Sequence, residues 1–246
     1  MQRRQFLAGA AAAGAVAALA GAAPARIAGF LGAVKSGRGA DSLIPPARGK
    51  IPVAVALTEG ATVIDFAGPW EVFQDVHVPE RGAGMDEMMP FRLFTVGEST
   101  KPIIGSGGLQ LVPDYSFENA PQPKVIVVGA QQGGDALRAW LLKASERADL
   151  TMSVCTGAFH LAKAGMLAGK AATTHHDFID RLARMFPDVD VKRGLRFVES
   201  SPRISTAGGL SSGVDLALRV VERYFGRPAA ERTAAYMEYQ SRGWVV

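Results

Sequence analysis

The hydrophobic pattern of this chain alternates between short apolar runs and longer segments with apolar residues every three or four positions. The longer segments indicate helices with one buried face. The short runs, typical of parallel strands buried on both faces, are 51–57, 92–96, 125–128, 151–154 and 204–206. This alternation predicts an α/β fold, in which an open, mostly parallel sheet carries helices on both faces and the site lies at the carboxyl ends of the strands.

Proline and glycine add detail to this pattern. Pro69 suits the first position of a helix because its φ is fixed and it has no N–H to lose. The glycine group 105–108 is typical of a hairpin or a bend rather than a phosphate loop, since no strand-to-helix junction surrounds it. Helices are predicted for 70–76, 161–167, 214–225 and 229–239.

The first residues differ in composition from the rest of the chain. Arg3 and Arg4 precede a weakly apolar run rich in Ala and Gly that ends in small residues. This order is typical of a twin-arginine export signal, and the high Ala and Gly content gives a weak drive for membrane insertion. We therefore expect a leader at 1–25 and export to a bacterial periplasm with only transient membrane contact. A linker at 26–50 and one folded domain at 51–246 would follow.

Composition supports one folded domain and argues against a nucleic-acid partner. Hydrophobic residues make up 48% of the 246 residues, which is enough for the core of an α/β domain. The formal net charge is +4, and removal of the two leader arginines lowers it to +2. So small an excess, scattered along the chain, predicts a solvated surface rather than a nucleic-acid-binding face.

The only cysteine, Cys155, lies at the junction between the strand 151–154 and a helix. Free N–H groups at a helix N-terminus favour a thiolate and can hold a developing oxyanion, so this is a place for a nucleophile. A single cysteine cannot form an internal disulfide, and in an oxidising compartment the thiol stays free. The alternative is a buried, inert cysteine that packs as a small apolar side chain.

Asp65 follows the first strand and is flanked by apolar residues. One interpretation is structural, because aspartate is a favoured N-cap before a helix, here one that begins near Pro69. The other is proton transfer with Cys155, since strand ends converge on one crevice in a parallel sheet and burial can raise the pKa of a carboxyl group enough for it to donate. The two roles are compatible, and the sequence leaves both open.

Four motifs, in chain order, resemble the ThiJ/PfpI superfamily. They are Ile-Asp-Phe-Ala-Gly-Pro-Trp-Glu-Val-Phe at 64–73, Ser-Val-Cys-Thr-Gly at 153–157, Ala-Gly-Met-Leu-Ala-Gly-Lys-Ala-Ala-Thr-Thr-His at 164–175 and Gly-Gly-Leu-Ser-Ser-Gly-Val-Asp at 208–215. The resemblance covers roughly 51–240 and is strongest to the isonitrile hydratase subgroup. The same pattern also occurs as the sensing half of helix-turn-helix regulators, so it does not determine an activity.

The resemblance implies a flavodoxin-like α/β sandwich, commonly a homodimer, with a strained nucleophile elbow at Cys155. It further implies that Cys155 is the nucleophile, Asp65 its acid/base partner and Thr156 a supporting hydroxyl or amide. The thiolate would attack the terminal carbon of an isonitrile, Asp65 would supply a proton, and water would release an N-substituted formamide from a thioimidate. The expected partner is a small-molecule substrate, and the reaction requires no metal and no cofactor.

The chain departs from the resembled pattern in three places. Gly129, Ala130 and Gln131 stand where the resembled proteins usually have Pro-Gly-Gly. In those proteins this loop normally supplies a second oxyanion N–H. Ala130 or Gln131 must therefore adopt the required backbone shape with a Cβ present. His176 replaces a usual tryptophan and makes the pocket wall more polar. An export signal is also unusual for a detoxifying hydratase.

Histidines close to these motifs have several interpretations. Adjacent histidines on an extended segment point in opposite directions and no cysteine or carboxylate cluster accompanies them, so His175 is interpreted as a hydrogen-bonding residue rather than a zinc ligand. Thr156 stands where PfpI-type peptidases have histidine, which disfavours peptidase activity. His160 and His77 are interpreted as packing or surface residues. The residues expected to bind substrate are Gly129, Ala130, Gln131, Gly157 and His175.

Two classes of function remain open. An exported cysteine-dependent hydratase or hydrolase of a small electrophile is favoured by Asp65 and the Cys-Thr-Gly elbow. A non-catalytic ligand-binding or redox-sensing module is favoured by the altered loop 129–131. A cytoplasmic regulator is disfavoured because no helix-turn-helix follows the last predicted helix. A glyoxalase- or deglycase-like activity ranks lower because such relatives place glutamate where Asp65 stands.

Overall fold

The computed structural model describes residues 42–246, so the predicted leader and the linker residues up to 41 lie outside the described residues. Residues 42–50 form no helix or strand but pack on the domain, where the Leu43 N–H donates to the Arg223 carbonyl at 2.9 Å. The first strand begins at Ile51, as the apolar run predicts. Within the described residues, no helix has the length and apolar character needed to cross a bilayer.

Strands and helices alternate along most of the described chain. The strands are β1 Ile51–Ala56, β2 Phe91–Gly97, β3 Ile103–Ile104, β4 Gln110–Leu111, β5 Tyr115–Ser116, β6 Val125–Val128, β7 Leu150–Ser153, β8 Ala171–Ala172, β9 Asp190–Val191, β10 Phe197–Ser201 and β11 Ile204–Ala207. The helices are α1 Val63–Gln74, α2 Met85–Met88, α3 Asp135–Ser145, α4 Ala158–Lys163, α5 Ile179–Met185, α6 Ser212–Phe225 and α7 Arg227–Tyr236. Strands β3 and β4 form the hairpin predicted around the glycine group.

The main sheet has the strand order β10–β11–β7–β6–β1–β2–β5. Its neighbours pair in parallel except for β10 and β11, which form an antiparallel hairpin at one edge. Every residue of β6 and β7 is buried. Strands that are covered on both faces have continuous apolar sequences, as these two strands do. The prediction of a mostly parallel central sheet is confirmed.

Helices cover both faces of this sheet and enclose two cores. Helices α1, α6 and α7 pack on one face, and α3, α4 and α5 pack on the other. Successive residues of β6 enter opposite cores, because side chains alternate across a strand: Val127 lies in the first core and Ile126 in the second. The predicted flavodoxin-like sandwich is confirmed.

Helix α1 begins at Val63, and the prediction of a start near Pro69 was wrong. Pro69 lies inside the helix, where it lacks the N–H that would bond to the carbonyl four residues earlier. Packing overrides this preference, because α1 lies against α6 and a Cβ on Gly68 would come 2.9 Å from a Val214 methyl group. The proline signal therefore marked the helix but not its first residue.

Helix α4 begins at Ala158 and ends at Lys163, before the end of the predicted segment 161–167. Gly165 has a left-handed φ of +73°, and the N–H groups of Gly165 and Met166 donate to the carbonyls of Ala162 and Leu161. This is the Schellman arrangement, in which a glycine ends a helix. Apolar spacing continues beyond the helix, so spacing alone placed its end too late.

Candidate active site around Cys155

Cys155 directly follows the β7 region and begins a 3-10 turn, Cys155–Gly157, that leads into α4. Its φ is +57°, a conformation that costs a non-glycine residue about 1–3 kcal/mol. Two hydrogen bonds hold it: the Cys155 N–H donates to the Gly208 carbonyl at 2.8 Å, and the Thr174 hydroxyl donates to the Cys155 carbonyl at 2.8 Å. The strained strand-to-helix elbow implied by the resemblance is present.

Gly157 allows the elbow to approach β6. A Cβ at this position would lie 2.2 Å from the Val128 carbonyl oxygen, closer than any real contact. The Val154 N–H donates to the same carbonyl at 3.0 Å. Gly157, predicted to bind substrate, is therefore placed where close backbone packing requires glycine.

Asp65 is fully buried in the first turn of α1 and faces Cys155. Its Oδ2 accepts a hydrogen bond from the Ala130 N–H at 2.9 Å. Its Oδ1 is buried and has no hydrogen-bond partner among residues 42–246, while the thiol lies within reach of the carboxyl group. The interpretation of Asp65 as an N-cap was wrong, because the N-cap is Thr62 and the Asp65 carboxyl group binds the loop after β6 instead.

The two side chains shift each other's proton affinity. Burial raises the pKa of Asp65 from 3.8 to about 6, against the opposing effects of the Ala130 N–H and the thiol. Burial and then the charge of Asp65 raise the pKa of Cys155 to about 11, although the Thr156 and Leu210 N–H groups stabilise the thiolate. At pH 7 the pair is mainly a neutral thiol beside a carboxylate.

The Thr156 N–H at the elbow favours the Cys155 thiolate, as expected, but larger opposing effects raise the pKa of the thiol overall. Helix α4 has six residues, so it carries a small dipole. Two amide donors do not offset the loss of solvation and the neighbouring negative charge. The thiol consequently needs a base, and Asp65 is the group in position to act as one.

The loop 129–132, at the end of β6, packs directly on Asp65. A Cβ on Gly129 would lie 2.7 Å from the Asp65 Cβ, so glycine is needed for this approach. The Ala130 carbonyl accepts from the Thr62 N–H at 2.8 Å, while the Ala130 N–H is bonded to Asp65. The Ala130 amide thus supports the carboxylate and is not directed at an oxyanion.

Gln131 holds the same loop through its side chain and its backbone. Its Oε1 accepts from the Thr58 N–H at 2.8 Å, and its carbonyl lies 3.1 Å from Nε2 of His160. Its Nε2 is buried and has no partner in the described part of the chain. The Gln131 amide nitrogen is therefore held inside the loop without an acceptor among residues 42–246.

His175 contacts the segment that follows β11. A Cβ on Gly209 would lie 2.3 Å from its Cδ2, and its Nδ1 accepts from the Asp177 N–H at 3.2 Å. The expectation that His175 and His176 point in opposite directions was wrong, since the rings stack with centroids 4.3 Å apart. His176 begins the 3-10 turn His176–Phe178, which bends the chain out of the extended conformation.

His175, His176 and Asp177 can each offer a ligand atom within 4.8 Å of the others. They are consecutive in sequence, and two of the three are exposed. A closed structural zinc site uses four ligands. These three residues are one ligand short of such a site, and their arrangement does not select a particular metal ion.

A cavity of about 310 Å³ opens beside the elbow. Its walls include Thr174, Gly208 and Leu210, which all lie in segments that contact Cys155. This volume is sufficient for a small ligand. The cavity is the candidate binding space beside the elbow, although the side chains of Cys155 and Asp65 do not themselves line it.

Sequence reasoning missed Leu210 and Thr174. Leu210 has a φ of +51°, and its N–H stabilises the Cys155 sulfur. The Thr174 hydroxyl holds the Cys155 carbonyl. The glycine-rich segment 208–213 signals a close backbone approach, but its pattern does not say which amide faces the cysteine.

The amino-acid sequence is similar to those of a known family and of several characterised proteins. The model of the DJ-1/PfpI family matches residues 51–223. Isonitrile hydratase of Pseudomonas putida is 29% identical over 186 residues, which are 72% of this chain and 73% of that enzyme. The helix-turn-helix transcriptional regulator GbdR of Pseudomonas aeruginosa is 29% identical over 153 residues, 60% of this chain and 40% of the regulator.

Solved structures share the same fold. A ThiJ/PfpI family protein from Pseudomonas syringae has a TM-score of 0.65 at 26% identity, covering 80% of this chain and 78% of that one. DJ-1β of Drosophila melanogaster has a TM-score of 0.63 at 17% identity, covering 78% of this chain and all of that one. The relatives include an enzyme and a regulator, so the fold by itself does not determine the activity. The chain belongs to the DJ-1/PfpI family.

Proposed function

We propose that this protein is a cysteine-dependent hydratase or hydrolase of a small electrophile, with conversion of an isonitrile to an N-substituted formamide as the leading reaction. The observation that carries the proposal is the buried pair at the elbow, a neutral Cys155 thiol beside an Asp65 carboxylate. Such a pair can add both the sulfur and the proton of a thiol to one carbon atom, the terminal carbon of an isonitrile. Similarity to isonitrile hydratase supports this substrate class.

In the first half-reaction, the Asp65 carboxylate takes the thiol proton while sulfur forms a bond to the terminal isonitrile carbon. Asp65 then delivers that proton to the same carbon, which becomes the C–H of an N-substituted thioformimidate on Cys155. The partnerless Oδ1 of Asp65 is available for the proton. No oxyanion develops in this step. The step therefore does not require the Ala130 N–H, which is already hydrogen-bonded to Asp65.

In the second half-reaction, Asp65 removes a proton from water as its oxygen attacks the thioformimidate carbon. Asp65 passes that proton to the nitrogen, which gives a tetrahedral adduct with one O–H group. The adduct's hydroxyl then loses its proton to Asp65 as the C=O bond forms and the C–S bond breaks, and Asp65 returns this proton to sulfur to restore the Cys155 thiol. The sum is addition of one water to one isonitrile. The Thr156 and Leu210 N–H groups, which stabilise negative charge on sulfur, assist its departure.

The test is formamide production by the wild-type protein and by Cys155→Ala. Each protein is mixed with cyclohexyl isonitrile, and N-cyclohexylformamide is quantified over time by mass spectrometry. We expect wild-type turnover and a fall of more than about 10³-fold in the variant, because the covalent step is lost. Absence of wild-type turnover, with Cys155 still open to alkylation, would contradict the hydratase proposal.

One observation favours the second function, a non-catalytic ligand-binding or redox-sensing module. The amides of Cys155 and Ala130 are both bonded to protein acceptors, Gly208 and Asp65, so neither is directed at a substrate oxygen. A sensing module needs no such donor. Tight binding of an electrophile to Cys155 without product release would support this function.

A further inference from the structure

His160 lies one turn beyond the elbow, in α4, and its Nε2 is 3.1 Å from the Gln131 carbonyl. A carbonyl oxygen only accepts hydrogen bonds, so a neutral ring in this contact carries its proton on Nε2. Burial lowers the pKa of His160, and the Lys163 charge acts in the same direction against the bond to Gln131. Burial therefore favours the neutral ring, and Nε2 donates to the loop.

The His160 ring packs closely against the backbone at Gly133. A Cβ on Gly133 would lie 2.5 Å from Cε1 of His160, so the chain packs flat against the imidazole only because this residue is glycine. The charged groups near the ring are Lys163 on its own helix and Asp135 and Arg138 on α3, which line the same cavity of about 230 Å³.

Loop 129–132 is held from two directions. The segment joining β1 to α1 and the loop share four bonds: Thr62 N–H to the Ala130 carbonyl at 2.8 Å, Gln132 N–H to the Glu59 carbonyl at 2.9 Å, Thr58 N–H to Gln131 Oε1 at 2.8 Å, and the Thr58 hydroxyl to the Gln132 carbonyl. The bond from the helix that follows Cys155 is that of His160. His160 therefore connects the element carrying the thiol to the loop whose amide holds Asp65.

We propose that His160 is a positioning residue for the Cys155 and Asp65 pair: by holding the Gln131 carbonyl, it keeps the neighbouring Ala130 amide aligned on the Asp65 carboxylate. This inference deepens the proposed function and rests on it for its catalytic meaning. The alignment of the Ala130 N–H on Asp65 affects the pKa values of the Cys155 and Asp65 pair. These can be measured without any catalytic turnover.

The physical consequence concerns the charge on Asp65. An amide donor stabilises the ionised carboxylate, so loss of its alignment raises the pKa of Asp65. The titratable group facing Asp65 is Cys155, and the two titrate as a coupled pair. Alkylation at neutral pH proceeds through the minor form in which sulfur is the thiolate and Asp65 holds the proton. Its rate therefore rises in a step at the first pKa of the pair.

The experiment measures the rate of Cys155 alkylation by iodoacetamide from pH 4.5 to 9 in the wild type, His160→Leu and His160→Gln. We expect a wild-type step at about pH 6, which moves upward by about one pH unit in His160→Leu. In His160→Gln, whose amide nitrogen can donate to the same carbonyl, the step should return most of the way to its wild-type pH. Asp65→Asn should lack the step.

A matched control is His77→Leu, because His77 also lies 3.0 Å from a backbone carbonyl, that of Asp75, but contacts neither the loop nor the elbow. It should keep the wild-type step. Thermal unfolding checks that each variant is folded. If His160→Leu does not fold, His160→Asn, whose shorter amide does not reach the carbonyl, takes its place.

An unchanged step in the variants lacking the donor, or an equal displacement in His160→Gln, would overturn the positioning role. Isonitrile turnover is measured in parallel on the same samples. If the wild type shows no turnover, the proposed function fails, while the alkylation step still decides the role of His160.

Discussion

Asp65 keeps its charge in a fully buried position, and this has a cost in folding free energy. Its pKa is about 6 in the folded protein against 3.8 ordinarily, so between these pH values the folded state binds a proton more tightly than the unfolded state. The free energy of unfolding therefore falls as pH rises through this window. Above it the full penalty is present, about 3 kcal/mol for a difference of about two pH units.

Asp65→Asn removes that penalty and retains an oxygen acceptor for the Ala130 N–H. We expect the free energy of unfolding to rise by up to about 3 kcal/mol at pH 7.5 and to change little at pH 4. Isonitrile turnover should fall by about 10²–10⁴-fold because the base is lost. Urea unfolding at the two pH values measures the first effect and the formamide assay the second.

Asp86→Asn is the control for this prediction, since the Asp86 side chain is 93% exposed. Its free energy of unfolding should remain within about 0.5 kcal/mol of the wild type at both pH values. A loss of stability in Asp65→Asn at pH 7.5 would show that the charged carboxylate stabilises the fold instead.

Among the elements, α4 is bounded by two glycines with different physical roles, Gly157 before its first residue and Gly165 after its last. Gly157 has no room for a side chain, because of the Val128 carbonyl. Gly165 has open space around a Cβ but a φ of +73°, so a side chain there meets only backbone strain. Gly157 is needed because the backbones pack closely, and Gly165 is needed because the backbone adopts a left-handed φ.

Gly157→Ala and Gly165→Ala separate these roles. We expect Gly165→Ala to lower the free energy of unfolding by about 1–2 kcal/mol and to leave Cys155 alkylation unchanged. Gly157→Ala should cost about 3 kcal/mol or more and alter the alkylation rate, because the elbow must move away from β6. Urea unfolding and iodoacetamide kinetics measure both. Equal effects of the two substitutions would contradict this assignment.

In the whole domain, strand order determines which residues meet. β7, β6 and β1 are neighbours in the sheet, and their carboxyl ends lead to Cys155, loop 129–132 and the Asp65 helix in turn. The pair is therefore assembled from three chain segments far apart in sequence. A parallel sheet brings such strand ends to one edge.

We also propose export by the twin-arginine route, supported by Arg3, Arg4 and the apolar run that follows them. Expression of the full chain in a bacterium with this pathway should place the protein in the periplasmic fraction. Replacing both arginines with lysine should retain it in the cytoplasm. Equal distribution of the two versions would contradict the proposal.

Sequence by itself determined the fold class, because strands buried on both faces must be continuously apolar, as 51–56 and 125–128 are. It also marked Cys155 and Asp65, since a lone cysteine at a strand end and a carboxylate in an apolar setting are recognisable locally. Motif resemblance extended this to the elbow, which the φ of Cys155 bears out.

Tertiary structure alone decided the proton chemistry and the supporting contacts. The raised pKa of Cys155 arises from burial and from Asp65, which is ninety positions away in the chain. Leu210, Thr174 and His160 act through contacts between segments that no local pattern relates. Spacing reports which face of an element is buried, whereas hydrogen-bond partners and solvation depend on what packs against that face.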